Sequence, residues 1–279
     1  VDRPMLPESV LQHAPVHVLD VGANPLDDEV PYVDLLDAGL ARVTGFEPLP
    51  EAMERLRGLA GPHERYLPHA VGDGGRHVLH VCEEQGFSSL LRPDPMRLAH
   101  LVDFERLGRV VDEVEIDTVR LDDVPDLGPV DLLKVDVQGS ELAVLRSGEH
   151  ALERVLAVQL EMGFWPLYEG QPTAGELDAQ LRSMGLMPLQ VVQHRTWPLA
   201  PTQWADPWEH DSLQIVESDV LYVRDPAGLA VRDLAVLALV ADIGYRHRGL
   251  ARRCLRLLDE CGRGDLEAQY VSRLGRHYG

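Results

Sequence analysis

VLDVGANP, residues 18–25, is an apolar run that ends on an acid and then breaks at a glycine among small residues. A short Val- and Leu-rich run followed at once by Gly reads as a buried strand delivering its carboxyl end to a sharp turn. Glycine at such a turn lets a ligand come close to the backbone, and open α/β sheets bind ligands outside the carboxyl ends of their strands.

Runs of the same kind recur outward from this one and alternate with helical patterns, which points to a mostly parallel α/β sheet covered on both faces. Strands are expected at VHVLDV (16–21), RVTGFE (42–47), RYLPHAV (65–71), DLLKVDV (131–137) and VLAVQLEM (155–162). Helices are expected at PYVDLLDAGL, opened by Pro31 with Asp27, Asp28 and Glu29 ahead of it, and at PEAMERLRGLAG, opened by Pro50 and closed by Gly61. HVLHVCEE reads as part of a further hairpin, EVEIDTVRLDD as an antiparallel or edge strand, and SLQIVESDVLYVRD as a late antiparallel strand. Beyond Pro226 only helical periodicity remains, so residues 1–225 are taken as the main domain and 226–279 as a C-terminal helical extension. The pattern ALVADIGYRHRGLARRCLRLL loosely resembles one tetratricopeptide hairpin, which cannot bury its own apolar face. It is expected to pack on the main domain or on a second copy, making a homodimer.

The 279 residues are 45% hydrophobic, enough for a substantial core, and the net charge is −20. Arginine is concentrated only in RHRGLARRCLR, where Leu250, Cys254, Leu257, Leu258 and Cys261 recur beneath it at helical spacing, so nucleic acid is not an expected partner. Cys82, Cys254 and Cys261 form no CxxC pair and have no zinc-like His spacing, which fits a reducing cytosol and a cytoplasmic protein. The longest apolar segment, LAVLALVADIG, is too short and too interrupted to span a bilayer.

Two cofactor classes use a strand–glycine turn. Dinucleotide binders need G-x-G-x-x-G, but Gly22 is followed by Ala23, Asn24, Pro25, Leu26 and Asp27. S-adenosylmethionine has no phosphate and carries an ammonium and a sulfonium, so an acid at the turn makes sense, and Asp20 is that acid. Glu47 closes the second strand, where a carboxylate accepts the ribose hydroxyls of either cofactor. AVGD (70–73) brings Val71, Gly72 and Asp73 to the end of the third strand, where an adenine edge would be met. Each of these reads singly as a turn. Their order along the chain is what favours a cofactor site built from Asp20, Gly22, Ala23, Asn24, Glu47, Val71, Gly72 and Asp73.

VDLLKVDVQGSE (130–141) holds Lys134, the one lysine beside 25 arginines. Period-two alternation turns Leu132, Lys134 and Asp136 to one face and Asp131, Leu133 and Val135 to the other. Lys134 reads either as a counter-ion among acidic strand ends, with Asp20 and Glu161 nearest, or as a group that also orients Asp136 or the acceptor. Chance survival of a single lysine is the bland alternative.

VLDVGAN, GFEPLPEAMERL, AVGD, SSLL, VRLDDV, DLLKVDVQGSELAVLRSGE and FWPLYEGQP, spread over roughly residues 16–225, resemble the FkbM family of class I S-adenosylmethionine-dependent methyltransferases. The resemblance implies a Rossmann-like class I sheet, S-adenosylmethionine as cofactor, and O-methylation of a hydroxyl on a sugar, glycan or polyketide-type acceptor. Pro25 and Leu26 depart from the family, which continues after Asn24 with an aliphatic residue and a second Gly; that departure motivates the alternative of an inactive methyltransferase-fold binding or scaffold protein. An attacking alcohol must lose its proton, so Asp136 and Glu161, at successive strand ends, are the candidate bases, Asp136 preferred and Glu161 and Lys134 assisting. Asp136 reads equally as a cap on the QGSE turn. His194 and His210 are alternative bases that read also as structural, and no metal is expected from the unspecific spacing of Asp136, Glu161, His210 and Asp211. The acceptor side is expected to draw on Ser88, Ser89, Trp165, Tyr168, His194, Trp208 and His210, since flat aromatic faces suit a sugar ring. The tryptophans read as readily as pins for a long loop.

Overall fold

The computed structural model describes residues 5–24, 30–201 and 213–278. Ten strands follow along the chain: β1 Val16–Val21, β2 Ala41–Phe46, β3 Glu64–Leu67, β4 Ala70–Val71, β5 Arg76–Cys82, β6 Val110–Val119, β7 Leu132–Val135, β8 Ala157–Gly163, β9 Leu186–Pro198 and β10 Leu213–Arg224. Seven of them form the main sheet in the order β3-β2-β1-β7-β8-β10-β9. The first five run parallel, while β10 lies antiparallel to both β8 and β9. The expected mostly parallel sheet with an antiparallel late strand is therefore present. β4, β6 and β5 make a separate three-stranded sheet.

Ten α-helices accompany the strands: α1 Glu8–Leu11, α2 Val33–Asp37, α3 Pro50–Leu59, α4 Pro95–Leu98, α5 Phe104–Leu107, α6 Glu141–Ser147, α7 Ala174–Ser183, α8 Val231–Leu239, α9 Arg248–Glu260 and α10 Leu266–Tyr278. Pro50 opens α3 at its first turn, where a missing N–H costs nothing. α7 begins with a capping box, Thr173 and Glu176 each accepting from the other's backbone N–H.

Period-two alternation sorts the sheet into two cores. Val16, Val18, Leu132, Ala157, Leu221 and Val223 face α8, α9 and α10, whereas Leu19, Val21, Leu133, Val135, Val158 and Leu160 face α6 and α7. After its first turn α8 is apolar and buried on every side, from Leu234 to Leu239, and a π-helical turn, Val240–Gly244, carries it towards α9. The chain after Asp225 thus shares one continuous core with the sheet and buries its apolar face on its own chain.

Two expectations need correction. RYLPHAV is not one strand: it divides into β3, in the main sheet, and β4, in the small one, with Pro68, which cannot donate to a ladder, at the break. HVLHVCEE does not fold back on itself; β5 pairs antiparallel with β6, across the intervening α4 and α5. β9 was not expected at all. Its 13 residues lie at the sheet edge with a broken exposure pattern and a proline at 188, so it lacks the alternation that marks a half-buried strand.

Candidate active site

The alternation that buries Val16 and Val18 beneath α8 continues to Asp20, and the same face carries Lys134 after Leu132, Gln159 and Glu161 after Ala157, and Asp219 and Glu217 beyond Leu221. A polar layer therefore crosses the carboxyl ends of β1, β7 and β8 on one face of the sheet. Register puts Lys134 beside Asp20 on one side and Gln159 on the other. Lys134 Nζ lies 3.5 Å from Asp20 Oδ1, and the Tyr32 hydroxyl donates to Asp20 Oδ2 at 2.5 Å. Both members of the ion pair are buried. The lysine meets Asp20, while Glu161 is engaged elsewhere.

A cavity opens above this layer. Gly22 at its floor has φ +85°, and a Cβ there would fall 1.8 Å from the Asp136 carbonyl oxygen, so only glycine lets the ends of β1 and β7 approach so closely. The Gly22 and Ala23 N–H groups both donate to Phe46 O, at 3.1 and 3.0 Å, and Asp136 N donates to Val21 O at 3.0 Å. Glu47, buried at the end of β2, lines the cavity, and its Oε1 accepts from Leu49 N at 2.6 Å. Phe46, Leu49 and Val71 supply apolar wall.

Beside Gly22, where β1 and β7 meet, stands Asp136. Its Oδ1 accepts from Gln138 Nε2 at 2.8 Å, and the same amide nitrogen lies 3.3 and 3.5 Å from Glu161 Oε1 and Oε2. Asp136 does not cap the turn that follows it. That task falls to Glu141, whose buried Oε1 accepts from Gly139 N at 2.9 Å and Val137 N at 3.3 Å. Burial pushes the Glu141 carboxyl up to about 7. Arg195, on β9, lines the cavity and donates to Glu217 Oε1 at 2.7 Å, with Glu161 Oε2 at 3.7 Å. Burial pushes Glu161 well above the ordinary carboxyl range, the negative charges of Asp136 and Glu217 add to it, and Arg195 opposes them. Glu217 is raised by its own burial against the same arginine. Burial alone would lower Arg195, but Glu217 and Glu161 outweigh it and hold the guanidinium charged.

Of the expected cofactor residues, Gly22, Asn24, Glu47 and Val71 line the cavity with Asp136, Ser88 and Ser89. Asp20 and Ala23 lie beneath it, buried. Gly72 packs on Thr118, and Asp73 is turned away and exposed, its Oδ1 accepting from Gly75 N and meeting His77 Nε2 at 2.7 Å. The hydrogen bond from His77 holds the Asp73 carboxyl below its usual range. Tyr168 stands behind Gln138 and donates to its Oε1 at 3.0 Å. Trp165 lies off the cavity, its Nε1 donating to Arg97 O at 3.3 Å, and Trp197 similarly donates to Val102 O at 2.8 Å. Both therefore pin the α4–α5 segment. His194 is exposed on β9 opposite Ser218. Trp204, Trp208, His210, Asp211, Pro25 and Leu26 lie outside the described residues. Among the described residues no group of three or more His, Cys, Asp or Glu side chains is placed to hold a metal ion, and no helix is long and apolar enough to cross a membrane.

Gln138, Arg195 and Glu217 were not anticipated. Gln138 was in plain view in the QGSE turn. Arg195 and Glu217 face each other across β9 and β10, and without β9 nothing in the sequence connects them.

The family model described as the methyltransferase FkbM domain matches residues 20–186, a span that includes Asp20, Glu47, Asp136 and Glu161. The chain belongs to the FkbM methyltransferase family. It is an S-adenosylmethionine-dependent methyltransferase, and its sheet is of the class I kind. This FkbM methyltransferase is similar to 2-O-methyltransferase NoeI of Sinorhizobium fredii (strain NBRC 101917 / NGR234), with 30% identity over 176 residues that cover 58% of this chain and 70% of the relative. Looser likenesses join it to magnesium protoporphyrin IX methyltransferase (ChlM) from Synechocystis PCC 6803, with a TM-score of 0.37 and 12% identity over 78% of this chain and 77% of that one. A putative methyltransferase from Thermoplasma acidophilum aligns with a TM-score of 0.36 and 9% identity over 77% of this chain and 70% of that one.

Proposed function

We propose that this FkbM methyltransferase moves the methyl group of S-adenosylmethionine to a hydroxyl of a sugar, glycan or polyketide-type acceptor, with Asp136 as the base. The observation that carries this reading is one cavity whose lining brings Gly22 and Glu47 together with Asp136. The 2-O-methyltransferase relative supports oxygen as the atom methylated.

The residues fit the donor. Gly22 leaves the backbone of β1 bare, Glu47 is a fixed carboxylate suited to a pair of vicinal hydroxyls, and the apolar wall of Phe46, Leu49 and Val71 suits a flat ring. When bound, S-adenosylmethionine supplies an electrophilic methyl on a sulfonium. The chain's own contribution is alignment and proton removal, because an in-line displacement gains most from fixed geometry. Asp136 receives the hydroxyl proton. Glu161 is raised by burial and by its acidic neighbours and is engaged by Gln138 and Arg195, which favours Asp136 as the base. Lys134 and Asp20 hold the strand ends from below, and Ser88 and Ser89 reach the cavity from the loop after β5. Tyr168 acts through Gln138.

Calorimetry with S-adenosylmethionine and release of labelled methyl across a panel of hydroxylated acceptors test the proposal. Binding that Glu47→Ala weakens at least tenfold, with transfer that Asp136→Asn abolishes, is the expected result. Donor binding without transfer to any acceptor would instead favour a scaffold that has kept only the fold.

A further inference from the structure

We infer that Gln138 is a positioning residue for methyl transfer: its carboxamide engages Asp136 Oδ1 and so decides which oxygen of Asp136 meets the acceptor hydroxyl. The inference rests on the reading of the cavity as the site of methyl transfer to oxygen.

The orientation of the amide is dictated by its neighbours. Two carboxyl groups, those of Asp136 and Glu161, lie on one end of it, and the Tyr168 hydroxyl lies 3.0 Å from the other. An amide oxygen placed between the carboxyls would set lone pair against lone pair, so the nitrogen must point there and the oxygen must accept from Tyr168. Asp136 Oδ1 is thereby occupied. Among the described residues Asp136 Oδ2 accepts no hydrogen bond, and Asp136 lines the cavity, so Oδ2 is the oxygen left for the acceptor hydroxyl. In the reaction the acceptor O–H bond breaks and its proton goes to Oδ2; the freed oxygen pair forms the O–C bond, and the C–S pair stays on sulfur.

The side chain does this without supporting the turn it stands on. Gln138 has φ 54°, a left-handed conformation uncommon for a residue with a Cβ, and the backbone is held there by other groups. Ser89 Oγ donates to the Gln138 carbonyl at 2.6 Å, and Glu141 accepts from Gly139 N and Val137 N. None of these bonds uses the carboxamide. What the strained backbone achieves is to aim a neutral double donor into a cluster of acids. A carboxylate in its place would add one more negative charge beside Asp136, Glu161, Glu217 and Glu141, with Arg195 as the facing cation from β9.

The test uses the full chain, labelled S-adenosylmethionine, and the methyl glycosides of mannose, galactose and rhamnose as probes, with rates measured from pH 5 to 9. Gln138→Ala is expected to lower kcat by about 10- to 100-fold, since a misplaced group costs that much, while donor affinity stays within about twofold. Gln138→Glu keeps the shape and folds as a control for Gln138→Ala; it is expected to work only while the introduced carboxyl is protonated, and so to show a new loss of activity towards alkaline pH. Rates within about threefold of wild type, or an unchanged pH dependence in Gln138→Glu, overturn the inference. If wild type methylates none of the glycosides, the acceptor reading fails on its own, and Gln138 is judged by carboxyl carbon magnetic resonance. The Asp136 signal, identified by its loss in Asp136→Asn, must then change its chemical shift in Gln138→Ala; a signal that does not move overturns the assignment.

Discussion

Gly22→Ala tests the approach of β1 to β7 most directly. The added Cβ would sit 1.8 Å from the Asp136 carbonyl oxygen, whereas such contacts essentially never fall below 3.0 Å, so backbone must move against backbone by more than an ångström. The φ of +85° adds about 1 kcal/mol for any residue with a side chain. The movement strains the bonds from Gly22 N and Ala23 N to Phe46 O and from Asp136 N to Val21 O, each of them contributing about 1 kcal/mol. A loss of about 3–4 kcal/mol is expected, a large part of the ~5–15 kcal/mol that holds a typical domain. Asp136 moves with its carbonyl, so turnover should fall by about 100-fold in whatever fraction stays folded. Urea unfolding monitored by circular dichroism gives the first figure and methyl release the second. Gly58→Ala is the control: nothing lies within 4 Å of its added Cβ, it stands in α3, and the change should be neutral or stabilise by up to about 1 kcal/mol. Should Gly22→Ala unfold within 1 kcal/mol of wild type and turn over at half its rate, β1 and β7 cannot be as close as described.

Lys134→Arg should lose about 1–3 kcal/mol, because a wider planar head is forced into a buried position shaped for an ammonium beside Asp20; unchanged melting and turnover would mark the lysine as a chance survivor. For Glu141, burial raises the folded carboxyl from 4.5 to about 7, so between those values the folded chain binds more protons than the unfolded one. Stability from this group is fully present below pH 4.5 and declines as pH rises to 7, by up to about 3 kcal/mol. Glu141→Gln should therefore flatten the fall in unfolding free energy between pH 5 and pH 8, and an equal fall in both proteins would refute the assignment. A chain ending at Asp225 strips α8, α9 and α10 from Val16, Val18, Leu132, Ala157 and Leu221. It should fail to fold, and a soluble fragment with a cooperative melt would show that the tail is dispensable.

What could be read in the sequence was local. β1 and β7 declare themselves by apolar runs, and period two suffices to put Asp20, Lys134 and Asp136 on one face with Leu132. The position of Glu47 follows from the end of β2 in the same way. Contacts made across the sheet were invisible. Asp73 looked like part of an adenine site, but a tight turn with Gly74 at φ +86° swings it towards His77. Trp165 looked like a sugar platform, but Arg97 of α4, a helix of one turn that periodicity cannot detect, and His100 just beyond it pack against its ring. Glu161 could be read as a candidate base assisting Asp136, but its burial among other acids, which raises its carboxyl, could not.

The strand order also bears on how the molecule is made. β10 is synthesised after β9 yet lies inside it, between β9 and β8, and β9 pairs with no other strand of the main sheet. An emerging chain that has reached Pro198 therefore has its Arg195-bearing edge strand but nowhere to dock it. The gap closes only when Arg224, the last residue of β10, has left the ribosome. Pairing over such distances in sequence is slow and leaves sheet edges open to wrong partners. The half of the cavity that holds Arg195 and Glu217 should thus be the last to form during synthesis and the first to depend on a chaperone.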